Sequence, residues 1–328
     1  MSTHAVRIIE IGEVRPHENA DRLCIIPVGG WSCVVGKEQF KPGSRAIYIE
    51  PDYVVPTDRP EFAFLAKEGK TEHRLKAIRL RGVISFGLLI PVPESLVDRS
   101  ANDNVMDDLG IRRYEPPVKC TPGGLDDGLP EAEWPKVYSS KFDVEDLRKH
   151  EDVFQAGEPV IATEKIHGAS ARFVFSNDTL YIGSRTRWLK PDIKTHWVRA
   201  LTPEIEAWCR AHPETVLYGE TYGPVQELKY GLTKPVFSAF AASKGGNWID
   251  LPSLHGSLSE FEVDYAPIVY DGPYDRKKIA EEAEADSVVA NIKGHMMEGV
   301  VIVPAVERRD DRIGRVCLKL ISNRYWLS

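Results

Sequence analysis

The sequence predicts an α+β protein of two domains, an N-terminal β-barrel followed by a larger domain of antiparallel sheets with flanking helices. Three observations support this fold class. The chain has 328 residues, which exceeds the usual size of one domain. Bursts of β-branched and aromatic residues, separated by turn residues, fill residues 5–92. After residue 141, strand-like and helix-like segments are mixed.

The N-terminal domain is predicted from short strand-like segments, separated by turn sequences such as PHENADR and KPGS. These segments are AVRIIEIGEV, LCIIPV, SCVVG, SRAIYIE and VISFGLLIPV. Five or so strands in so short a stretch fit an OB-type barrel, and we place this domain at residues 1–95.

Residues 96–140 are rich in Pro, Gly and Asp without a sustained period, which is typical of an inter-domain linker. The second domain is then predicted at residues 141–328. Its strand-like segments are EPVIATEKI, ARFVFSN, TLYIGSR, TVLYGETYG, KPVFSAFAA, EGVVIVPA and RVCLKLI. Its helix-like segments are VEDLRKHEDV, TPEIEAWCRAH and YDRKKIAEEAEADSVVANI. This mixture predicts several antiparallel strands with helices beside them.

Composition limits the function classes. A net charge of −7 argues against a passive, wholly basic nucleic-acid coat, but it permits an enzyme with a local basic face. Five cysteines without a C-x-x-C pair suit neither a disulfide framework nor a zinc site. The N-terminus lacks the pattern of a secretory signal, and no uncharged apolar run reaches the length of a membrane span. We therefore expect a cytoplasmic protein with no membrane partner.

The sharpest local motif is TEKIHG at residues 163–168, between the strand-like segments EPVIA and ARFVF. Lys165 at a strand end places an amine in a concave site, and Gly168 lets backbone approach a ligand closely. A surface lysine beside a turn is the better interpretation of K-x-x-G alone, because four residues are a weak pattern.

Further chemical residues follow this motif in a fixed order, each in or at the end of a strand-like segment. They are Arg185 in GSRT, Glu220 in LYGETYG, Phe240 in PVFSAF, Glu298 in MEGVVIV and Lys319 in VCLKLI. Together they offer an amine nucleophile, an aromatic face for a purine, carboxylates for ribose and a divalent cation, and a second lysine for an α-phosphate. Phe240 can equally be a core residue and Arg185 a solvated one. Glu298 is harder to explain structurally, since a buried carboxylate is costly without a partner.

This set resembles the covalent nucleotidyltransferase superfamily of ATP-dependent ligases and mRNA capping enzymes. EKIHG is similar to the RNA ligase form of the first motif, because DNA ligases and capping enzymes usually carry Asp at position 167. The leading domain, LGIRRYEPP and RGVISFGLL resemble the branch of RNA ligases with an N-terminal OB domain. The chain also ends nine residues after Lys319, without the C-terminal OB domain typical of DNA ligases and capping enzymes. The resemblance covers nearly the whole chain and implies an adenylyltransferase domain after the OB domain.

The resemblance assigns a role to each residue. Lys165 would carry AMP, Glu164 would read the adenine amino group, and His167 would act when AMP passes to the 5'-phosphate. Arg185 would lie near the ribose and the nick, Phe240 would stack on adenine, and Lys319 would contact the α-phosphate. Glu220 would contact the ribose, and Glu298, with Glu220, would serve a Mg²⁺ or Mn²⁺ site. Arg148 is a weaker candidate for a phosphate of ATP.

Two positions depart from the family pattern. Ala241 stands where many relatives have an aspartate after the stacking aromatic, and Ile321 stands where many have a second lysine in the last motif. Arg315 or Arg324 are the candidates to replace that second cation.

The N-terminal domain carries a basic stretch, EHRLKAIRLRG, that contains Arg74, Lys76, Arg79 and Arg81. It is predicted to contact RNA phosphates on the 3'-OH side of a nick, although a solvated strand face explains it equally well. The predicted function is ATP-dependent sealing of 3'-OH/5'-phosphate breaks in RNA by a monomer, in RNA repair. The alternatives are a DNA ligase, a capping guanylyltransferase, and an inactive RNA- or tRNA-binding protein.

Overall fold

The computed structural model describes residues 5–114, 119–121, 124–125, 132–140, 142 and 144–328, with residues 119–121 and 124–125 described by backbone alone. The chain forms two compact units, residues 1–115 with 326–328 and residues 116–325. No helix among the described residues is both long and apolar enough to span a bilayer.

Unit 1 consists of short antiparallel strands joined by turns. Its strands are β1 Arg7–Glu10, β2 Arg15–Pro16, β3 Leu23–Val28, β4 Trp31–Gly36, β5 Arg45–Ile49, β6 Tyr53–Pro56, β7 Glu72–Arg74, β8 Ile78–Leu80, β9 Val83–Ser85, β10 Leu88–Pro91 and β11 Arg112–Arg113. They pair in the orders β1-β5-β10, β11-β6-β7, β2-β3-β4 and β8-β9. Single-turn 3₁₀ helices lie at Ala63–Leu65 and Glu94–Leu96.

The alternation of apolar residues explains the packing of unit 1. In β4, Trp31, Cys33 and Val35 are buried while the residues between them are partly exposed, so one face of the strand lies against the core. The Trp31 ring packs 4.7 Å from the ring of Phe86, and Trp326 packs 5.8 Å from Trp31 at the edge of this core.

Unit 2 contains the longer strands and the α-helices found among the described residues. Its strands are β12 Lys119–Thr121, β13 Gly124–Leu125, β14 Glu145–Asp146, β15 Pro159–Glu164, β16 Ala169–Ser176, β17 Thr179–Ser184, β18 Trp188–Leu189, β19 Thr215–Tyr222, β20 Val236–Lys244, β21 Asn247–Trp248, β22 Ile268–Pro273, β23 Gly299–Pro304, β24 Arg309–Asp310, β25 Gly314–Arg315 and β26 Leu318–Ile321. Its helices are α1 His196–Ala200, α2 Pro203–Ala211, α3 Leu251–Glu260, α4 Arg276–Ala283 and α5 Asn323–Trp326, whose last residue packs with unit 1.

Two sheets organise unit 2. A six-stranded antiparallel sheet has the order β18-β17-β16-β19-β20-β21. A five-stranded sheet has the order β14-β26-β23-β15-β22, in which only the β14–β26 pair is parallel. One core joins the two sheets to α1, α2 and α3, and a second core packs α4 on the five-stranded sheet.

Two helices predicted from the sequence differ from the structure: one does not form, and the other ends early. Residues 144–153 form β14 and a 3₁₀ turn at Leu147–Lys149 instead of a helix. α4 ends at Ala283, although the charged periodic segment continues to residue 292. The amides of Val288 and Val289 donate to the Glu164 carboxylate at 2.8 and 3.3 Å, so tertiary hydrogen bonds replace helical ones there.

Candidate active site

Lys165 directly follows β15, and its backbone is held by a neighbouring strand. The Lys165 amide donates to the carbonyl of Gly299 at 2.8 Å, which extends the β15–β23 pairing past the end of β15. The residue before Gly299 is Glu298, and its carboxylate lies 2.8 Å from the Lys165 amine. The sheet register therefore brings together two residues that are far apart in sequence.

Glycines permit the close backbone approach at this site. A Cβ atom on Gly299 would lie 2.2 Å from the carbonyl oxygen of Leu320, and one on Gly168 would lie 2.3 Å from that of Thr221. Any larger residue would push β23 from β26, or β16 from β19. The glycine of the EKIHG motif is thus required for the packing beside Glu220.

His167 and Glu298 form the buried centre of the site. His167 Nδ1 lies 3.4 Å from the Glu298 carboxylate, and both residues are less than a tenth exposed. Burial acts to raise the pKa of Glu298, but Lys165 and His167 outweigh it and bring that pKa to about 2. Burial acts to lower the pKa of His167, but Glu298 and Glu227 raise it above its ordinary value. The centre therefore favours an ionised carboxylate beside a cationic imidazole.

Glu220 joins this charge cluster from the six-stranded sheet. It pairs in register with Ser170 on one side and Ser238 on the other. Burial raises the pKa of Glu220 to about 7; the charge of Glu298 adds to the rise, and Lys165 opposes it. Arg185, exposed just after β17, also lowers the pKa of Glu220 and so lies within electrostatic reach of it.

Phe240 lies at an irregularity of β20. The register shifts there, so that Tyr218 pairs with Ala241 and Gly219 pairs with Ala239, which leaves Phe240 as the extra residue of a β-bulge. Its half-buried ring lies 4.7 Å from that of Phe142. The bulge takes Phe240 out of the regular alternation of β20, and its ring also packs against the core around Trp188.

Lys319 and Arg148 lie on the far side of β23 from Lys165. Leu318 and Leu320 face the core under α4, so strand alternation puts half-buried Lys319 on the opposite face of the sheet. Arg148 Nη2 donates to the carbonyl of Ile321 at 3.0 Å.

Arg148 also lines a cavity of about 400 Å³ that has two further cations, Arg276 and Lys277, in its wall. Glu281 and Glu284 line the same cavity. Ile321 pairs with Gly299, and the Lys165 amide donates to the Gly299 carbonyl, so the hydrogen bond from Arg148 to Ile321 lies at the end of a row of paired residues that leads to Lys165. This row places the cavity on the same sheet as Lys165.

The Glu164 carboxylate is engaged by a loop. Ser287 Oγ donates to it at 2.5 Å, in addition to the two amides of the same loop. Burial raises the pKa of Glu164, while these hydrogen bonds oppose the rise. Its role in reading adenine stays a prediction, and the structure shows it anchoring residues 287–289.

Three residues of the site were missed in the sequence. The Glu227 carboxylate lies 3.0 Å from His167 Nε2, as a hydrogen bond or an ion pair. The Tyr325 hydroxyl lies 3.2 Å from His167 Nδ1. The Tyr230 hydroxyl accepts a hydrogen bond from the His167 amide at 2.6 Å. They lie in loops and in α5, at no fixed spacing from a motif. No signal in a single sequence would have found them.

The basic residues predicted to contact RNA lie in unit 1, and three of them, Arg74, Lys76 and Arg79, have partners nearby. Arg74 Nη2 lies 2.7 Å from the Asp52 carboxylate, and its guanidinium lies 3.6 Å from the centre of the Tyr114 ring. Lys76 Nζ donates to the Ser328 carbonyl at 2.9 Å. Arg79 and Arg81 lie at the β8–β9 hairpin, where Arg79 donates to Gly82 O at 3.2 Å and Arg81 is exposed with φ of 49°.

The RNA ligase family profile matches residues 158–321, which is half of the chain and contains Lys165, His167, Glu220, Glu298 and Lys319. The chain belongs to the RNA ligase family. The predicted family and enzyme class are therefore confirmed. A profile of an OB-fold domain matches residues 5–92 of this ligase, which confirms the predicted N-terminal fold.

Solved structures of the Naegleria gruberi RNA ligase resemble this ligase along its whole length. A variant with ATP and Mn is 24% identical with a TM-score of 0.81, over 98% of both chains. An apo variant is 25% identical with a TM-score of 0.80, over 98% of this chain and 97% of that one. The structure with PPi is 24% identical with a TM-score of 0.79, over 99% and 98%. Curated protein sequences give no match.

Proposed function

We propose that this RNA ligase uses ATP to form a covalent lysyl-AMP at Lys165 and then seals RNA breaks bearing a 3'-OH and a 5'-phosphate. The observation that carries the proposal is the buried cluster around the Lys165 amine, which lies 2.8 Å from Glu298 and within electrostatic reach of His167 and Glu220. Family membership supplies the reaction class, and the cluster supplies the nucleophile.

The amine must be neutral to attack. A free lysine has a pKa near 10.4, so deprotonation at pH 7 costs about 4 to 5 kcal/mol. The carboxylates of Glu298 and Glu220 suit a hard divalent cation. No cluster of three or more His, Cys, Asp or Glu side chains able to hold a metal occurs in the described part of the chain, so phosphate and water oxygens would complete the coordination, as they usually do for Mg²⁺. A bound Mg²⁺ or Mn²⁺ would favour the neutral amine and offset phosphate charge; Mn accompanies ATP in a structural relative.

In the first step, Lys165 Nζ attacks the α-phosphate of ATP. A P–N bond forms, the bond from the α-phosphate to the pyrophosphate oxygen breaks, and pyrophosphate leaves. Lys319 stabilises the α-phosphate, and Arg148 contacts a more distal phosphate. Phe240 stacks on adenine and Glu220 contacts the ribose. Positioning and electrostatic stabilisation account for such transfers.

In the second step, an oxygen of the RNA 5'-phosphate attacks the lysyl-AMP phosphorus, and the P–N bond breaks. The leaving amine must gain a proton. Glu298 and Glu227 raise the pKa of His167, which favours the cationic form that donates this proton. Arg185 is exposed beside the site, where it contacts the RNA at the nick. In the third step, the 3'-OH attacks the activated 5'-phosphate and releases AMP.

The OB-fold unit supplies RNA contacts in this proposal. Arg79 and Arg81 at the β8–β9 hairpin are its best-placed phosphate ligands, while Arg74 and Lys76 also have partners within the unit. We place the OB domain at residues 1–95, the linker at 96–140 and the adenylyltransferase domain at 141–328. Four cysteines with described side chains are free thiols, which suits a cytoplasmic protein, and we propose that the ligase acts as a monomer.

Intact-protein mass spectrometry after incubation with ATP and Mg²⁺ tests the nucleophile. We expect a gain of one adenylate on the wild-type protein, none on Lys165→Ala, and a normal gain on the control Lys293→Ala, which removes an exposed lysine of the same unit. An adduct on Lys165→Ala contradicts the assignment. An adduct with GTP instead of ATP would indicate a guanylyltransferase, sealing independent of a 3'-terminal ribose would indicate a DNA ligase, and no adduct at all would favour an inactive RNA-binding protein.

A further inference from the structure

Residues 132–140 cross one face of the six-stranded sheet and are held at both ends. The Ala132 amide donates to the carbonyl of Trp188 at 3.0 Å. At the other end, Arg172 Nη1 donates to Ser139 Oγ at 2.7 Å. The segment is therefore fixed on β16 and β18 of the sheet that carries Glu220.

The side chains of this segment alternate between the sheet and the outside. Pro135 is buried, and Val137 is half-buried against the core around Trp188. Trp134 is 59% exposed, Tyr138 is 64% exposed, and Lys136 between them is also exposed. The chain bends at Lys136 and Val137, and we call the three exposed residues Trp134, Lys136 and Tyr138 the aromatic face.

Two large exposed aromatic rings on a fixed segment indicate a ligand. Trp and Tyr rings contribute most to packing when buried, so exposure of both at positions four apart leaves that contribution unused. The two Cα atoms are at most about 14 Å apart, and the bend at Lys136 and Val137 brings them closer than that limit. Exposed Lys136 lies between them in the sequence and supplies a cation for a phosphate of a strand stacked on the two rings.

The neighbouring charges favour an anionic ligand. The Tyr138 ring lies beside the β20–β21 turn, where a Cβ on Gly246 would be 3.3 Å from it, and exposed Lys244 ends the adjoining strand β20. Arg187 and Lys190 flank β18, to which the segment is hydrogen-bonded. Within residues 132–140 the only acidic residue is Glu133.

We propose that the aromatic face binds a single-stranded stretch of the RNA substrate, with bases stacked on Trp134 and Tyr138 and a phosphate against Lys136. Stacking on aromatic side chains combined with basic residues along the backbone is how proteins bind single strands without sequence preference. The chain leads from this face to Phe142, whose ring contacts Phe240 at 4.7 Å. The proposal rests on the proposed function, since it takes RNA as the substrate.

Fluorescence anisotropy with a labelled single-stranded RNA tests this surface. We expect the double variant Trp134→Ala/Tyr138→Ala to raise Kd at least roughly tenfold, because each stacked base is lost. Trp134→Phe should keep most of the affinity, since it keeps a ring. The control Val306→Ala, which trims a 71% exposed side chain of the same unit, should leave Kd unchanged. A blunt duplex should bind all variants alike, because its bases are already stacked.

Adenylate formation separates the two proposals. The double variant should form the AMP adduct normally and should seal RNA at near wild-type rate once RNA is saturating. An unchanged Kd for single-stranded RNA in the double variant overturns the aromatic face, and so does loss of its AMP adduct, since that would mean a role in the fold or the nucleotide site. If the wild-type protein forms no adduct, the proposed function fails, while the binding assay still tests the face by itself.

Discussion

The raised pKa of Glu220 predicts that Glu220→Gln stabilises the fold at alkaline pH while it impairs catalysis. The pKa is about 7 in the folded protein against an ordinary value of 4.5. A raised pKa means that the folded state holds its proton more tightly, so this carboxyl favours folding below pH 4.5 and that contribution is lost as pH rises through 7. At pH 8 both states are ionised and the folded state bears the cost of the buried charge.

The size of this effect on stability follows from the difference between the pKa of Glu220 in the folded protein and its ordinary value. A difference of about 2.5 pKa units, at about 1.36 kcal/mol per unit, gives an upper bound of about 3.4 kcal/mol. Glu220 is half-buried, so solvent screening reduces this value. We expect the free energy of unfolding of the variant, relative to that of wild type, to be about 1 to 3 kcal/mol higher at pH 8 than at pH 4.5. Glutamine has nearly the same shape and does not titrate, so packing changes cancel between the two pH values.

Urea unfolding of both proteins at pH 4.5 and pH 8, with EDTA present to exclude divalent cations, measures this difference. Ser238→Ala, next to Glu220 in the register, is the control for a polar change that carries no charge. A stability difference between Glu220→Gln and wild type that stays constant from pH 4.5 to pH 8 would refute the reasoning. The AMP adduct of the variant should form more slowly, because the proposed ribose contact and one of the two proposed metal carboxylates are lost.

Two further predictions concern adenine stacking and the orientation of His167. Phe240→Leu should raise the KM for ATP in adduct formation roughly tenfold with little loss of stability, because leucine fills the half-buried site but lacks a π face; an unchanged KM would make Phe240 a packing residue. Glu227→Gln should leave adduct formation intact and slow AMP transfer to a 5'-phosphorylated RNA roughly ten- to a hundredfold, since the His167 ring loses a charged partner at 3.0 Å; equal slowing of both steps in single-turnover assays would contradict this role.

The sequence predicted the strands of the site better than its loops. EPVIATEKI and EGVVIVPA carry long apolar runs, and they form the neighbouring strands β15 and β23. The order of the motifs made Lys165 and Glu298 candidate site residues, and the structure places their side chains 2.8 Å apart. Glu227, Tyr230 and Tyr325 escaped because their contacts with His167 depend on loop paths, which local periodicity does not specify.

The same limit explains the error at the end of α4. Residues 284–292 have a charged, helical-looking pattern, but Glu164 lies close enough to accept three hydrogen bonds from residues 287–289. Burying the Glu164 carboxylate without hydrogen-bond partners would cost roughly several kcal/mol. The hydrogen bonds that avoid this cost outweigh the small free energy that Val288 and Val289, both β-branched, would gain in a helix. A pattern within one segment cannot report a charge more than a hundred residues away.

Placing the proposed nucleophile, Lys165, by strand register has a mechanical consequence. A lysine side chain is long and flexible, so a lysine on a loop would reach a phosphate from many directions. Here the Lys165 amide donates a hydrogen bond to the Gly299 carbonyl. The carboxylate of Glu298, the residue before Gly299, lies 2.8 Å from the Lys165 amine. The backbone hydrogen bond and the ion pair restrain the two ends of one side chain. Much of the conformational entropy of this side chain is therefore lost on folding, before ATP binds, and the attack then requires that the ion pair give way to the neutral amine.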